Sequence, residues 1–190
     1  MMSKIQNRDF KSDLKTRDSD LNEKIIEGYF AVFNSETELF PGGYEEISPG
    51  AFDKSISGDI RALINHDNKY VLGRTKANTL ELKVDNYGLF GRIKINDKDI
   101  DALNLYERVK RGDIDQCSFG FLINKESVDF RDDGTIKWTL KDVDLYEVSI
   151  CTFPAYENTS VSARTKEFDE LKNNNLERTK TMLKERIKNA

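Results

Sequence analysis

Histidine is almost missing from this chain: His66 stands alone among 190 residues, beside only two cysteines, Cys117 and Cys151. Two cysteines cannot build a disulfide framework, and these lack the C-x-x-C spacing of a zinc site. With a single histidine besides, a His/Cys metal centre is not expected, nor is any cofactor. Glycine-rich phosphate cradles are absent, as is the G-x-S-x-G nucleophile elbow. No apolar run approaches the ~20 residues a membrane-spanning helix needs. The opening "MMSKIQNRDFKSDLKTRDSD" is polar and holds no signal-peptide core. An intracellular protein with no membrane partner is therefore expected. Thirty basic and 34 acidic residues are mixed along the chain, for a net charge of −4. No basic block stands out, so nucleic acid is not an expected partner either.

What is present suffices for one domain with a real core, since 37% of the residues are hydrophobic. Residues 1–22 read as a polar arm. From Ile25 the text becomes strand-like: "KIIEGYFAVFN" is rich in β-branched and aromatic residues and breaks at Asn34-Ser35. "LFPGGYEEI" reads as a turn-bearing connection, and "SPGAFDKSI" as a short helix capped by Ser48 with Pro49 at its first position. "IRALINH" is the next apolar run. "TLELKVDNYGLFGRIKI" predicts a hairpin, with Leu80, Leu82 and Val84 alternating before the turn at Asp85–Gly88. "DKDIDALNLYERVKRGD" predicts a helix capped by Asp99 or a neighbour and stopped by Gly112, with Ile100, Leu103, Tyr106 and Val109 at helical spacing. Three further strands are expected in "IDQCSFGFLI", "TIKWTLKDV" and "DLYEVSICTF". After Arg164 the text turns to charges and amides with sparse apolar points, so residues 165–190 read as a charged tail or a marginal helix. Residues 23–164 are the expected body: mainly β with two helices, an α+β domain around a closed or nearly closed antiparallel sheet.

Strand alternation discriminates between the adjacent Cys117 and Ser118. In a strand over 114–123, Cys117 shares a face with Phe119, Phe121 and Ile123, while Ser118 shares the other with Gln116 and Gly120. Cys117 is then a small core residue, the usual state of a free cysteine. Ser118 emerges on the more polar face beside a glycine that lets other groups approach closely. Serine becomes nucleophilic only when a base takes its proton, and His66 is the one imidazole available. A histidine beside the turn "INHDN" fits a surface position as well as a site. A third group should orient that imidazole. Glu147 stands opposite the apolar Tyr146, Val148 and Ile150 within "VDLYEVSICTF", where a partnered carboxylate or a plain surface glutamate would both fit. Asp67 and Asp144 are weaker alternatives.

Six blocks in order carry a resemblance: "IEGYFAVFN", "YEEISPGAFDKSI", "RALINHDNKYVLGRT", "TLELKVDNYGLFGRIKI", "RGDIDQCSFGFLI" and "DLYEVSICTFPAYENTSVSAR". The chain resembles the prohead proteases of tailed bacteriophages, themselves distantly similar to the herpesvirus assemblin proteases. The resemblance spans about Ile26 to Arg164. It implies a herpesvirus-protease-like antiparallel β-barrel flanked by helices. It also implies a serine endopeptidase acting in the host cytoplasm, inside the assembling prohead. Its substrate would be scaffold protein or the scaffold-like region of the major capsid protein, and the protease itself. The histidine of "NHD" maps onto His66 as general base and the serine of "SFGF" onto Ser118 as nucleophile. Herpesvirus relatives use a second histidine as third member, and this chain has none; Glu147 is the choice for that place. By position, the Ala155 amide and Arg164 are the implied oxyanion donors, and a homodimer is the implied assembly. Two rivals stand beside this reading: a cysteine peptidase using Cys117 with His66, and a non-catalytic capsid assembly protein that keeps the fold.

Overall fold

A computed structural model describes residues 5–18, 23–152 and 158–188, and its strands lie in two hydrogen-bonded sheets. The smaller sheet is built from β2 (Lys15–Asp18), β3 (Lys24–Val32), β8 (Leu80–Val84) and β9 (Gly88–Lys94), all antiparallel. The larger holds β1 (Gln6–Lys11), β4 (Thr37–Phe40), β5 (Gly43–Ile47), β6 (Arg61–Ile64), β7 (Asp67–Arg74), β10 (Gln116–Phe130) and β11 (Ile136–Cys151). One apolar core joins the two sheets, with Phe30, Leu89 and Ile93 from the first meeting Phe119, Phe121, Val148 and Ile150 from the second. Phe52 packs edge-on against Phe119 at 5.5 Å between ring centroids. Each such fully buried side chain contributes about 1.5–3 kcal/mol.

The fold is mainly β and α+β, as expected, but of the two helices expected in the body only α1 (Ile100–Arg111) forms, the other α-helix among the described residues lying in the C-terminal segment. The β3 strand, the β8–β9 hairpin and helix α1 (Ile100–Arg111) form where the sequence pattern puts them. Asp99 caps α1 by accepting from the Asp101 and Ala102 amides, and Gly112 ends it in the left-handed conformation at φ 84°. Its buried face is Ala102, Leu105, Tyr106 and Val109, whereas Ile100 lies in solvent. That corrects the expected stripe in its first half: Ile100 is exposed and Leu103 only half-buried, with Ala102 and Leu105 buried instead.

Other expectations give way to non-local pairing. "TIKWTLKDV" and "DLYEVSICTF" are one continuous strand, β11, whose 16 residues are long enough to seat two short partners end to end. The first half pairs with β5 and the second with β6, both parallel, so the larger sheet is mixed rather than wholly antiparallel. "LFPGGYEEI" forms the β4–β5 hairpin instead of a simple connection. "SPGAFDKSI" makes successive turns rather than a helix. Gly50 there takes φ 87°, and the Ser48 hydroxyl donates to the Pro49 carbonyl instead of capping. Within residues 1–22 lie β1 and β2, each hydrogen-bonded to a body strand.

The second helix, α2 (Asn158–Lys188), docks at its N-terminal part and leaves residues 172–182 exposed. Phe168 meets Phe40 edge-on at 5.5 Å, and Glu167 accepts from the Trp138 indole at 3.3 Å. Between them Arg164, 3% exposed, lies over the Trp138 ring and pairs with Glu45, Glu126 and Glu167. Burial works against its charge, but the three carboxylates more than offset this and hold its pKa above the ordinary value. Removing one partner of a buried pair leaves the others uncompensated. Arg164→Ala should therefore lower the unfolding free energy by about 3–5 kcal/mol in denaturant titration. Lys180→Ala, which breaks only the exposed pair with Glu177, should change it by less than about 0.5 kcal/mol.

Candidate active site

The site is written by alternation along two paired strands. On β10, Ser118 and Gly120 share a face; on β11, Glu147, Ser149 and Cys151 share the facing one. The antiparallel register sets Ser118 opposite Ser149 and Gly120 opposite Glu147. Directly opposed side chains lie about 5 Å apart at Cβ, so these groups form one polar patch. The opposite face carries Cys117, Phe119, Val148 and Ile150, all buried in the core. Beyond Gly120 the register shifts by one residue and Tyr146 goes unpaired. This bulge turns Leu145 into the core and leaves Tyr146 43% exposed, reversing the faces that strict alternation gives those two residues.

His66 reaches the patch from a two-residue turn between β6 and β7. Asn65 and His66 take φ 50° and 60°, the doubly left-handed geometry of a tight hairpin turn. Asparagine tolerates this conformation, but for histidine it stores strain on the order of 1–3 kcal/mol. Four bonds hold it. The Asn65 amide N–H donates to the Ile150 carbonyl, and the Asn65 side chain accepts from the Thr152 amide at 2.8 Å and donates to its hydroxyl at 3.2 Å. The His66 amide donates to the Ser149 hydroxyl at 3.2 Å.

So fixed, the imidazole has a different neighbour at each nitrogen. Nδ1 lies 2.6 Å from Glu147 Oε1, and the Ser149 hydroxyl donates to the other oxygen of that carboxylate at 2.6 Å. Gly120 makes room for this: any Cβ there would collide with Glu147 Oε1. Nε2 faces Cys151 Sγ and Asp9 Oδ1, each at 3.7 Å. Burial disfavours a charged imidazole, yet Asp9, Cys151 and Glu147 together outweigh it and raise the His66 pKa well above 6.5. Because the folded value is raised, this pairing stabilises the fold in full below pH 6.5 and loses that effect as pH climbs through the folded pKa.

Asp9 arrives on β1, which pairs with β10 so that Asp9 sits opposite Ser118. Ser118 is consequently 0% exposed, and its hydroxyl donates to the Arg8 carbonyl at 3.0 Å. Arg8 itself pairs with the buried Glu45, and its guanidinium lies over the Phe121 ring. Burial opposes the charge of Glu45, but Arg8 and Arg164 hold its carboxyl below the usual range. With β1 seated, then, the serine is covered and the imidazole faces a carboxylate and a thiol.

The structure thus gathers Ser118, His66 and Glu147 on one face. Arg164 is committed to its three carboxylates. Ala155 lies outside the described residues. Cys117 is turned away, and burial pushes its thiol far up, so it stays protonated. Asp9, Ser149 and Cys151 were not singled out from the sequence. Ser149 and Cys151 were legible as sharing the Glu147 face, but nothing local to Asp9 reveals its pairing across 109 residues.

Comparisons with known proteins agree in kind. The family described as caudovirus prohead serine protease matches this chain over residues 12–174. The prohead protease of Enterobacteria phage HK97 is 28% identical over 144 residues, covering 76% of this chain and 61% of that protein. The chain thus spans less than two thirds of that relative's length. Among solved structures, the capsid assembly protease of bacteriophage T4 superposes with a TM-score of 0.54 at 10% identity. That match covers 81% of this chain and 100% of that one, and it speaks to the fold alone.

The lone histidine makes the electrostatics directly measurable. In a Ser118→Ala protein, the imidazole resonances should titrate with a midpoint above 6.5 by NMR. Asp9→Asn should move that midpoint down, and so should Gly120→Ala, which displaces Glu147. A midpoint at or below 6.5 in the Ser118→Ala parent would contradict the charged state.

Proposed function

The chain belongs to the caudovirus prohead serine protease family, and on that premise we propose that it is a serine endopeptidase of capsid maturation in which Ser118 attacks, His66 carries the proton and Glu147 orients His66. The observation that supports this most is the 2.6 Å contact from Glu147 to His66 Nδ1, on the face of the sheet that bears Ser118. It fixes the tautomer whose Nε2 must accept the serine proton, and it compensates the imidazolium that then forms.

In the proposed reaction, Ser118 Oγ bonds to the scissile carbonyl carbon as its proton passes to His66 Nε2. The tetrahedral intermediate collapses with that proton leaving on the amine product, and water then hydrolyses the acyl-enzyme by the same relay. This cycle requires a neutral Nε2 and an exposed Ser118. An extended substrate would meet both needs by adding antiparallel to the edge of β10, in the place β1 holds. Of the oxyanion donors expected from the sequence, the Ala155 amide is retained; Arg164 is assigned to docking α2. The catalytic body is residues 23–164, with 1–22 and 165–190 as flanking segments. Ser118, His66 and Glu147 come from one chain, so the chemistry itself requires no second copy. The substrates in this reading are the major capsid protein or scaffold protein, met inside the assembling prohead in the host cytoplasm, and the protease itself.

Co-expression with the neighbouring major capsid protein, read by intact mass, should show specific truncation. Ser118→Ala and His66→Ala should each abolish it while far-UV circular dichroism is unchanged, and Cys117→Ala should retain it. Glu147→Gln should slow it on the order of 10⁴-fold, as neutralising a triad acid does. Truncation that survives Ser118→Ala but stops with Cys117→Ala would hand the chemistry to the thiol. No truncation of capsid or scaffold protein by the parent would favour the non-catalytic assembly role.

A further inference from the structure

His66 Nε2 and the two groups beside it are arranged as metal ligands, and the reaction proposed above uses only the imidazole. Asp9 Oδ1, His66 Nε2 and Cys151 Sγ all lie within 4.8 Å of one another. Nε2 is 3.7 Å from each of the other two. Zinc bound at about 2.0–2.3 Å to such atoms sets neighbouring ligands about 3.3–3.6 Å apart, so the present spacing needs to close by only a few tenths of an ångström along those two edges.

An independent observation points to a ligand here. The Asp9 side chain is only 6% exposed, and its Oδ1 is buried without a hydrogen-bond partner. A buried carboxylate oxygen without a hydrogen bond is costly, and among the described residues this one has only the long 3.7 Å ion-pair contact with the imidazole to offset that. His66 is also supported from behind as ligating histidines are: its other nitrogen meets Glu147, which is in turn held by the Ser149 hydroxyl.

We propose that Asp9, His66 and Cys151 bind a divalent zinc-class cation that pins β1 over Ser118. A thiolate, an imidazole and one carboxylate select zinc over magnesium or calcium, which prefer all-oxygen shells. Three protein ligands leave the fourth tetrahedral position for water. On binding, Cys151 gives up its thiol proton to solvent, as does His66 any proton on Nε2, and the cation takes both lone pairs. The inference rests on the protease reading for its consequence. The cation would tie β1 to β11 and occupy the nitrogen that must act as base, so bound metal and turnover exclude one another. Asp9 lies outside the region matched by the family, which begins at residue 12.

The test uses the full chain carrying Ser118→Ala, which cannot process itself, titrated with cobalt(II) chloride. One equivalent should produce a thiolate-to-cobalt charge-transfer band with the visible bands of a tetrahedral ion, and zinc chloride should bleach both. Cys151→Ser should remove the charge-transfer band, Asp9→Asn should weaken cobalt binding at least tenfold, and Cys117→Ala should leave the spectrum unchanged. No charge-transfer band with the Ser118→Ala chain, or a band that persists in Cys151→Ser, would overturn the proposal. In the parent protein acting on capsid protein, zinc should inhibit and EDTA should restore cleavage, with Cys151→Ser raising the half-inhibitory zinc concentration at least tenfold. Cleavage without cobalt binding would defeat the metal site alone. Cobalt binding with no cleavage under any condition would defeat the protease reading and leave the site standing.

Discussion

The register between β10 and β11 is the constraint from which the site follows. A strand pair has two faces and a period of two residues, so one register decides both what enters the core and what is left together on the other side. Here it sends Cys117, Phe119, Val148 and Ile150 inward. The same register sets Ser118 and Gly120 against Ser149 and Glu147. Slipping by one residue would bury a carboxylate among phenylalanines and expose the core, so the apolar packing itself fixes the polar constellation. The bulge at Tyr146 confines this arrangement to residues 147–151, because beyond it the faces exchange.

Buried charge is the second organising element, and it appears where partners converge from distant segments. Glu45 on β5 joins Arg8 on β1 with Arg164 on α2, so one carboxylate holds both chain-terminal elements against the body. Arg8 and Asp9 are neighbours on a strand and point to opposite faces. One is tied to Glu45 and the other lies against His66. A segment with little apolar content is thereby ordered by two polar anchors, and both depend on groups more than 35 residues away.

That dependence explains what could be seen in the sequence. The β8–β9 hairpin and helix α1 are local: their alternation, caps and turn residues lie within about 20 residues, and the structure has them as the pattern predicts. The face of Cys117 was legible because alternation is a property of one strand. Glu147 was legible as a carboxylate in need of a partner, though not its distance to His66, which comes from the parallel pairing of β11 with β6. Parallel pairing leaves no local trace when the partners are more than 80 residues apart, and for the same reason the mixed sheet read as antiparallel. The text of β1 reads only as a polar arm because it is held by backbone pairing with β10 and by ion pairs rather than by apolar alternation. "SPGAFDKSI" carries helix-start residues, but Gly50 in a left-handed conformation turns the chain before a helix can propagate.

A chain with one histidine must set the state of its site through whatever faces that histidine, and here the facing group and the cover over Ser118 belong to the same strand. While β1 is paired with β10, the Ser118 hydroxyl donates its hydrogen bond to the Arg8 carbonyl and Asp9 faces the imidazole Nε2. Departure of β1 would withdraw Asp9, one of the groups that raise the His66 pKa, and uncover Ser118 in the same movement. Departure does not disturb Glu147, which is held from β11 by Ser149 and given space by Gly120. The Glu147 side of the constellation is therefore built into the sheet, whereas the exposure of Ser118 and the Asp9 contribution to the His66 pKa hang together on one edge strand. A separate lid could uncover the serine without altering the histidine; this arrangement links the two, because neighbouring residues of β1 touch both.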